Sequence, residues 1–227
     1  MAESALSGYR PPEASGVPHP VRRSPLDAYA SDFADLGPRL RVVERPFRAM
    51  LDLRFAVGQP NWSYHGVGLP APLLASGTPE RGALWLGPGW FLVLAGKLPV
   101  GASSAAVVDA VVSMAAGSMA DTRDAGEGGQ DQPVSVVDVS GWRTIVDVAG
   151  PRAWPVLRTG CSLDLHPDSF GVNACAQTLL ARTPVLLQRL PDDVLESSMR
   201  PCYRVFVRSS YAHHLASWLL DAASGQP

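Results

Sequence analysis

The chain has 227 residues, 46% of them hydrophobic and 18% charged, with a formal net charge of -2. The charged fraction sits below the ~25% of an average soluble protein, and a near-neutral balance excludes the basic excess of a nucleic-acid module. No run approaches the ~18 apolar residues of a membrane span, and 3 cysteines are too sparse and odd a set for a disulfide framework, which points to the cytoplasm.

Residues 1–22 carry Pro11, Pro12, Pro18 and Pro20 without an apolar run and read as a flexible tail; the same lack of an apolar stretch argues against a cleaved secretory signal. Residues 23–223 read as a single domain. Leu40 to Glu44 and Leu51 to Val57 alternate with period two, with Asp52 and Arg54 on the polar side, and predict two half-buried strands. Residues 58–82 are rich in Gly, Pro and Ser and predict loop, with room for a short turn of helix. Leu84 to Leu86 and Phe91 to Leu94 flank Gly87-Pro88-Gly89, a hairpin signal. Ala102 to Met119 carries Val107, Val108, Val111, Val112 and Met114 at helical spacing, with Ser103 or Ser104 as cap. Residues 121–133 are polar and glycine-rich and predict a mobile loop.

The second half repeats the theme. Val134 to Val139 and Thr144 to Val148 predict strands joined at Gly141. Gly150-Pro151 opens a short helix that Pro155 is expected to kink. Residues 160–173 predict loop, and Ala174 to Leu180, Val185 to Leu190 and Cys202 to Val207 predict strands. Ser209 is expected to cap a last helix with Ala212, Leu215, Trp218, Leu219 and Ala222 on its apolar stripe. Hairpins outnumber parallel crossovers, so the fold class is α+β with mainly antiparallel sheet, and two interleaved ferredoxin-like (split βαβ) modules fit the order.

Chemical signals are few. The run Gly66 to Ala71 lacks the preceding strand and following helix of a dinucleotide fingerprint. Cys161, His166, Cys175 and Cys202 lack the paired spacing of a zinc site. Asp164 and His166, two apart, form a possible acid–base pair but are more simply a loop pinned by local side-chain-to-backbone bonds. His213 and His214 point about 100° apart on a helix and cannot share a ligand. Asp192-Asp193 reads as a solvated turn. We therefore expect no catalytic, cofactor-binding or metal-binding residues in this chain. Six tryptophans are spread along it, some of them candidate interface anchors. Arginine is nearly the only base, Lys97 being the single lysine, and arginine loses least on desolvation against a partner.

The most distinctive stretch is CSLDLHPDSFGVNACAQTLLARTPVLLQRL, Cys161 to Leu190. It resembles the gamma-subunit family of heterotetrameric sarcosine oxidases. The likeness extends upstream through ERPFRAMLDLR (Glu44 to Arg54), ALWLGP (Ala83 to Pro88) and VVDVSGWRTIVDVAGPRAWPVL (Val136 to Leu157). Downstream it continues through YRVFVRSSYAHHLASWLLDAA (Tyr203 to Ala223). That family in turn is similar to the folate-binding domain of glycine-cleavage aminomethyltransferases. The resemblance implies a cytoplasmic complex with alpha, beta and delta subunits that oxidises sarcosine to glycine. It implies that FAD, FMN, NAD, tetrahydrofolate and zinc are bound on those other subunits, and that gamma is structural. It also leaves two alternatives: a stand-alone folate-binding or aminomethyltransferase-like protein, and the equivalent subunit of a dimethylglycine or other N-methyl amine demethylase. With no active site in view, the distinctive segment is expected to support the docking face, with Cys161, Asp164, His166 and Arg182 as its interface residues.

Overall fold

The computed structural model of the chain describes residues 22–55, 63–97, 134–191 and 200–225. The expected helix at Ala102 to Met119, the 121–133 loop, Asp192-Asp193 and nearly all of the 1–22 tail lie outside the described residues.

A 3-10 turn at Asp27–Tyr29 leads into the short helix α1, Ala30–Ala34. Strands follow as β1 (Arg41–Glu44), β2 (Arg48–Phe55), β3 (Ser63–Tyr64), β4 (Val67–Gly68), β5 (Ala75–Gly77), β6 (Arg81–Gly87) and β7 (Trp90–Lys97). Then come β8 (Val134–Asp138), β9 (Arg143–Ala149), helix α2 (Ala153–Leu157), β10 (Cys175–Leu180), β11 (Thr183–Arg189), β12 (Cys202–Arg208) and helix α3 (Ala212–Ser224). Ten of these strands make two five-stranded antiparallel sheets, as the α+β expectation required. Sheet A reads β1-β9-β12-β11-β10 and sheet B reads β8-β2-β7-β6-β5.

The two sheets are built alike. In each, an edge strand ending in an acid closes on the first long strand: Glu44 faces Val146 in sheet A, and Asp138 faces Leu51 in sheet B. The next backbone bond is matched too, Arg45 N–H donating to Ile145 O and Val139 N–H to Met50 O. Sheet A borrows β1 from ahead of sheet B, and the chain enters β9 directly from β8. The two ferredoxin-like halves are therefore interleaved. They also meet on their shared pseudo-twofold: Leu74 bridges Ala174, with Ala75 N–H donating to Asn173 O at 2.7 Å and Cys175 N–H to Leu73 O at 2.8 Å. Leu73 and Asn173 both turn left-handed there, at φ 62° and 65°.

Burial follows the alternation. Met50, Leu84, Leu92 and Leu94 of sheet B pack on Ile145, Cys175, Leu186 and Phe206 of sheet A. The other face of sheet A, with Val146, Val148, Tyr203 and Val205, is covered by Phe33 of α1, Val156 and Leu157 of α2, and Leu215 and Leu219 of α3. Each such side chain contributes about 1.5–3 kcal/mol when fully buried.

Three expectations need correction. The stretch 58–82 holds β3, β4, β5 and the start of β6 rather than loop alone; β5 is Ala-Ser-Gly, too small and short to show a period. Pro155 does not kink α2. It is the third residue of a five-residue helix, within the first turn, where a proline's missing N–H costs no helix bond. Ser209 makes no side-chain cap; it opens a 3-10 turn ahead of α3, and its Oγ donates to Gly141 O at 3.3 Å.

Candidate docking surface

The four residues expected at the interface do not converge. Cys161 is buried, its Sγ 3.8 Å from Thr178 Oγ1 on the helix side of β10. Asp164 is exposed and pins its own loop: Oδ1 accepts His166 N–H at 3.0 Å and Oδ2 accepts Ser169 Oγ–H at 2.6 Å. The Ser169 bond, then the His166 bond, hold its carboxyl below the usual range. The His166 ring stands edge-on to Trp154 at 5.2 Å, with Asp168 3.4 Å from Nδ1. This is the pinned loop, not an acid–base pair. The loop is anchored by Leu165 and Phe170 in the core and by Tyr203, whose hydroxyl donates to Leu165 O at 2.5 Å.

Arg182 sits elsewhere, exposed at the β10–β11 turn. Ala181 and Arg182 both have positive φ, 51° and 64°, the pattern of a two-residue hairpin turn. Neither is glycine, so the turn needs support. Ala181 N–H donates to Gly160 O at 2.9 Å, and His214 Nε2 donates to Ala181 O at 3.0 Å. His213 diverges and meets Tyr29 edge-on at 5.4 Å.

Buried polar groups are engaged in holding the fold. Asp147 accepts Arg204 through two bonds, 2.7 and 2.9 Å, and Arg45 Nε at 3.0 Å. Burial pushes the Cys175 thiol up to about 11 and the Cys202 thiol up to about 12, so both are protonated near neutral pH. Among the described residues no three His, Cys, Asp or Glu side chains are placed to hold a metal ion, and no helix is long and apolar enough to cross a membrane. A groove of ≈ 620 Å³ runs between α1 and the outer edge of β1, lined by Phe33, Leu40, Val42, Arg41 and Glu44.

What the surface does offer is apolar. Leu73 is 59% exposed and Leu74 41%, at the bridge between the halves, and Val172 beside them is 47% exposed. Leu179 on β10 is 54% exposed. It pairs with exposed Pro184 of β11. The last β11–β12 pair is Val185 with Val207; continued one step, that register sets Pro184 opposite Arg208, and Arg208 pairs with Arg143 of β9. Arg143, Arg208, Pro184 and Leu179 thus form one row across four strands, about 14 Å wide at the usual strand spacing. Ile145, Phe206 and Leu186 lie two residues inward in the intersheet core, so the row continues that face past its cover. Trp142, 48% exposed, caps the row. Sequence reasoning missed it, although Trp142 was among the flagged tryptophans.

A family model described as "Sarcosine oxidase, gamma subunit family" matches residues 56–225. The sarcosine oxidase subunit gamma of Corynebacterium sp. (strain U-96) is 33% identical over 214 residues, covering 90% of this chain and 91% of that one. The subunit gamma of strain P-1 is 32% identical over 212 residues, at 90% and 91% coverage. Among solved structures, a chain of the heterotetrameric sarcosine oxidase from Corynebacterium sp. U-96 superposes with a TM-score of 0.70 at 34% identity, covering 89% of this chain and 95% of that one. An aminomethyltransferase T of the glycine cleavage system from Bartonella henselae reaches a TM-score of 0.43 at 13% identity, too weak a likeness to decide anything.

Proposed function

The chain belongs to the sarcosine oxidase gamma subunit family, and from that premise we propose that it is the non-catalytic gamma chain of a heterotetrameric sarcosine oxidase. In that role it docks on the alpha, beta and delta subunits of an enzyme that oxidises sarcosine to glycine and passes the one-carbon unit to tetrahydrofolate. FAD, FMN, NAD and zinc are held by those other subunits. The observation that carries the proposal is the near end-to-end match with a chain of an assembled heterotetramer, 89% of one and 95% of the other.

The exposed apolar side chains support it. Leu73, Leu74, Val172 and Leu179 supply the kind of area a partner covers. Arg182 lies beside Leu179 and belongs to the polar rim of that face. Cys161 supports it from beneath, and Asp164 and His166 keep the adjoining loop in shape.

Co-expression with the three other subunits, with the affinity tag on alpha, tests the assignment. The chain is expected to elute with them in fixed proportion and to bind neither flavin nor tetrahydrofolate when free. A monodisperse free chain in the presence of all three partners refutes it. Micromolar tetrahydrofolate binding by the free chain, read by calorimetry, would instead favour a stand-alone folate protein.

A further inference from the structure

The row on sheet A carries two positive charges with no acid in ion-pair contact among the described residues. Arg143 and Arg208 stand directly opposite each other on β9 and β12. Like charges so placed destabilise a sheet. Among the described residues neither forms an ion pair. One terminal nitrogen of Arg143 is shut away from solvent without a hydrogen-bond partner. Burial, then the charge of Arg208, weakens the guanidinium's hold on its proton, and the carboxylate of Asp52 on β2 acts the other way to a smaller extent. Both arginines lie over Trp142, whose ring is 4.8 Å from the Arg208 guanidinium and 5.7 Å from that of Arg143.

The other half of the molecule holds the same constellation in neutralised form. Arg48 comes three residues before Leu51, as Arg143 comes three before Val146, and each of those two residues faces the acid of its closing edge strand. Arg48 also stands opposite a base, Lys97. There, however, Glu80 from the β5–β6 turn binds both terminal nitrogens of Arg48. The β10–β11 hairpin runs on past the matching point and presents Pro184 and Leu179 instead. Sheet A is one carboxylate short where sheet B has one.

We propose that the Trp142–Arg143–Arg208 cluster receives an aspartate or glutamate side chain from a neighbouring subunit, which takes the place that Glu80 takes in the other half. The proposal rests on the gamma-chain reading above and names the contact through which the chain docks. A carboxylate entering there meets the half-buried Arg143 and the exposed Arg208, both held against an indole, so its charge-assisted bonds form with little ordering cost. Leu179 and Pro184 continue the row as apolar area for the residues flanking that acid, the arrangement of aromatic and arginine anchors beside a dry patch that marks interface centres.

The test measures binding of the full chain to a complex of the other three subunits, with three variants. Arg208→Glu is expected to weaken binding at least tenfold and to flatten its dependence on salt. Pro184→Glu supplies an acid within the chain itself, next to Arg208. It is expected to weaken binding similarly while leaving the melting temperature of the free chain unchanged or higher, which separates lost docking from lost folding. Arg39→Glu, the same charge change at an exposed site away from the row, is expected to bind as wild type. Wild-type binding by Arg208→Glu or by Pro184→Glu overturns the inference and leaves the gamma-chain assignment standing. Failure of the wild-type chain to bind at all overturns both.

Discussion

Asp147 is the buried charge on which sheet A depends, and its replacement by Asn gives a sharp test. The amide keeps the shape, so no cavity forms; what is lost is the negative charge between Arg204 and Arg45. Arg204 is 2% exposed and Asp147 6%, so the orphaned guanidinium has no route to water. Arg45 is about a third exposed along its side chain and recovers hydration. Removing one partner of a buried pair costs about 3–5 kcal/mol; with Arg45 relieved by solvent, the lower end, about 3 kcal/mol, applies. For a chain of this size each kcal/mol moves the melting temperature by roughly 2–4 °C, so a fall of roughly 6–12 °C is expected by scanning calorimetry. Arg204→Met in the Asp147→Asn background should recover part of the loss, because it removes the stranded charge. A fall under about 3 °C, or a double variant whose loss is the sum of the singles, would refute the assignment of Asp147 as the charge that keeps Arg204 in the core.

Other expectations are equally direct. Gly77→Ala should cost about 2 kcal/mol or more in a urea titration, since φ there is +86° and a Cβ would lie 2.4 Å from Arg81 O; an unchanged midpoint would mean the β5–β6 turn opens without penalty. Tyr203→Phe should cost about 1–2 kcal/mol by leaving Leu165 O without its donor, and should raise the rate of proteolytic cleavage within 161–170. Cys175 and Cys202 should resist a thiol reagent in the folded chain at pH 8 and react once it is unfolded. Their raised values also set a sign: above about pH 9 the unfolded thiols lose protons that the folded ones keep until about pH 11 and 12. Stability is therefore full below about pH 9 and falls across that window by up to about 1.4 kcal/mol per pH unit for each thiol; a flat urea midpoint from pH 8 to 11 would contradict this.

Strands with clear alternation were legible in the residues. Arg48–Phe55, Arg143–Ala149 and Cys202–Arg208 lie close to where their patterns place them, because each buries one or both faces in a core that selects large apolar side chains. Ala75–Gly77 was not legible: it is held by neighbours in β6 and by the bridge at Leu74, and nothing in Ala-Ser-Gly announces either. The loop from Cys161 was legible as a pinned loop, since Asp164 two residues before His166 is a local pattern. The arginine row was not. Leu179, Pro184, Arg208 and Arg143 come from four strands, and only the register between them puts these residues side by side; shifting one strand by a single residue would turn its member to the other face.

The loan of β1 to the far sheet also fixes an order of events. All five strands of sheet B lie between Arg48 and Asp138, so that sheet can close while the rest of the chain is still being made. Sheet A cannot: β1 waits for β9, and β9 is completed by β12, whose last residue is Arg208. A chain cut short on the ribosome before that point has a finished half and a frayed one, and its arginine row lacks Arg208. A partner that engages that row as proposed engages a chain whose synthesis has passed Arg208.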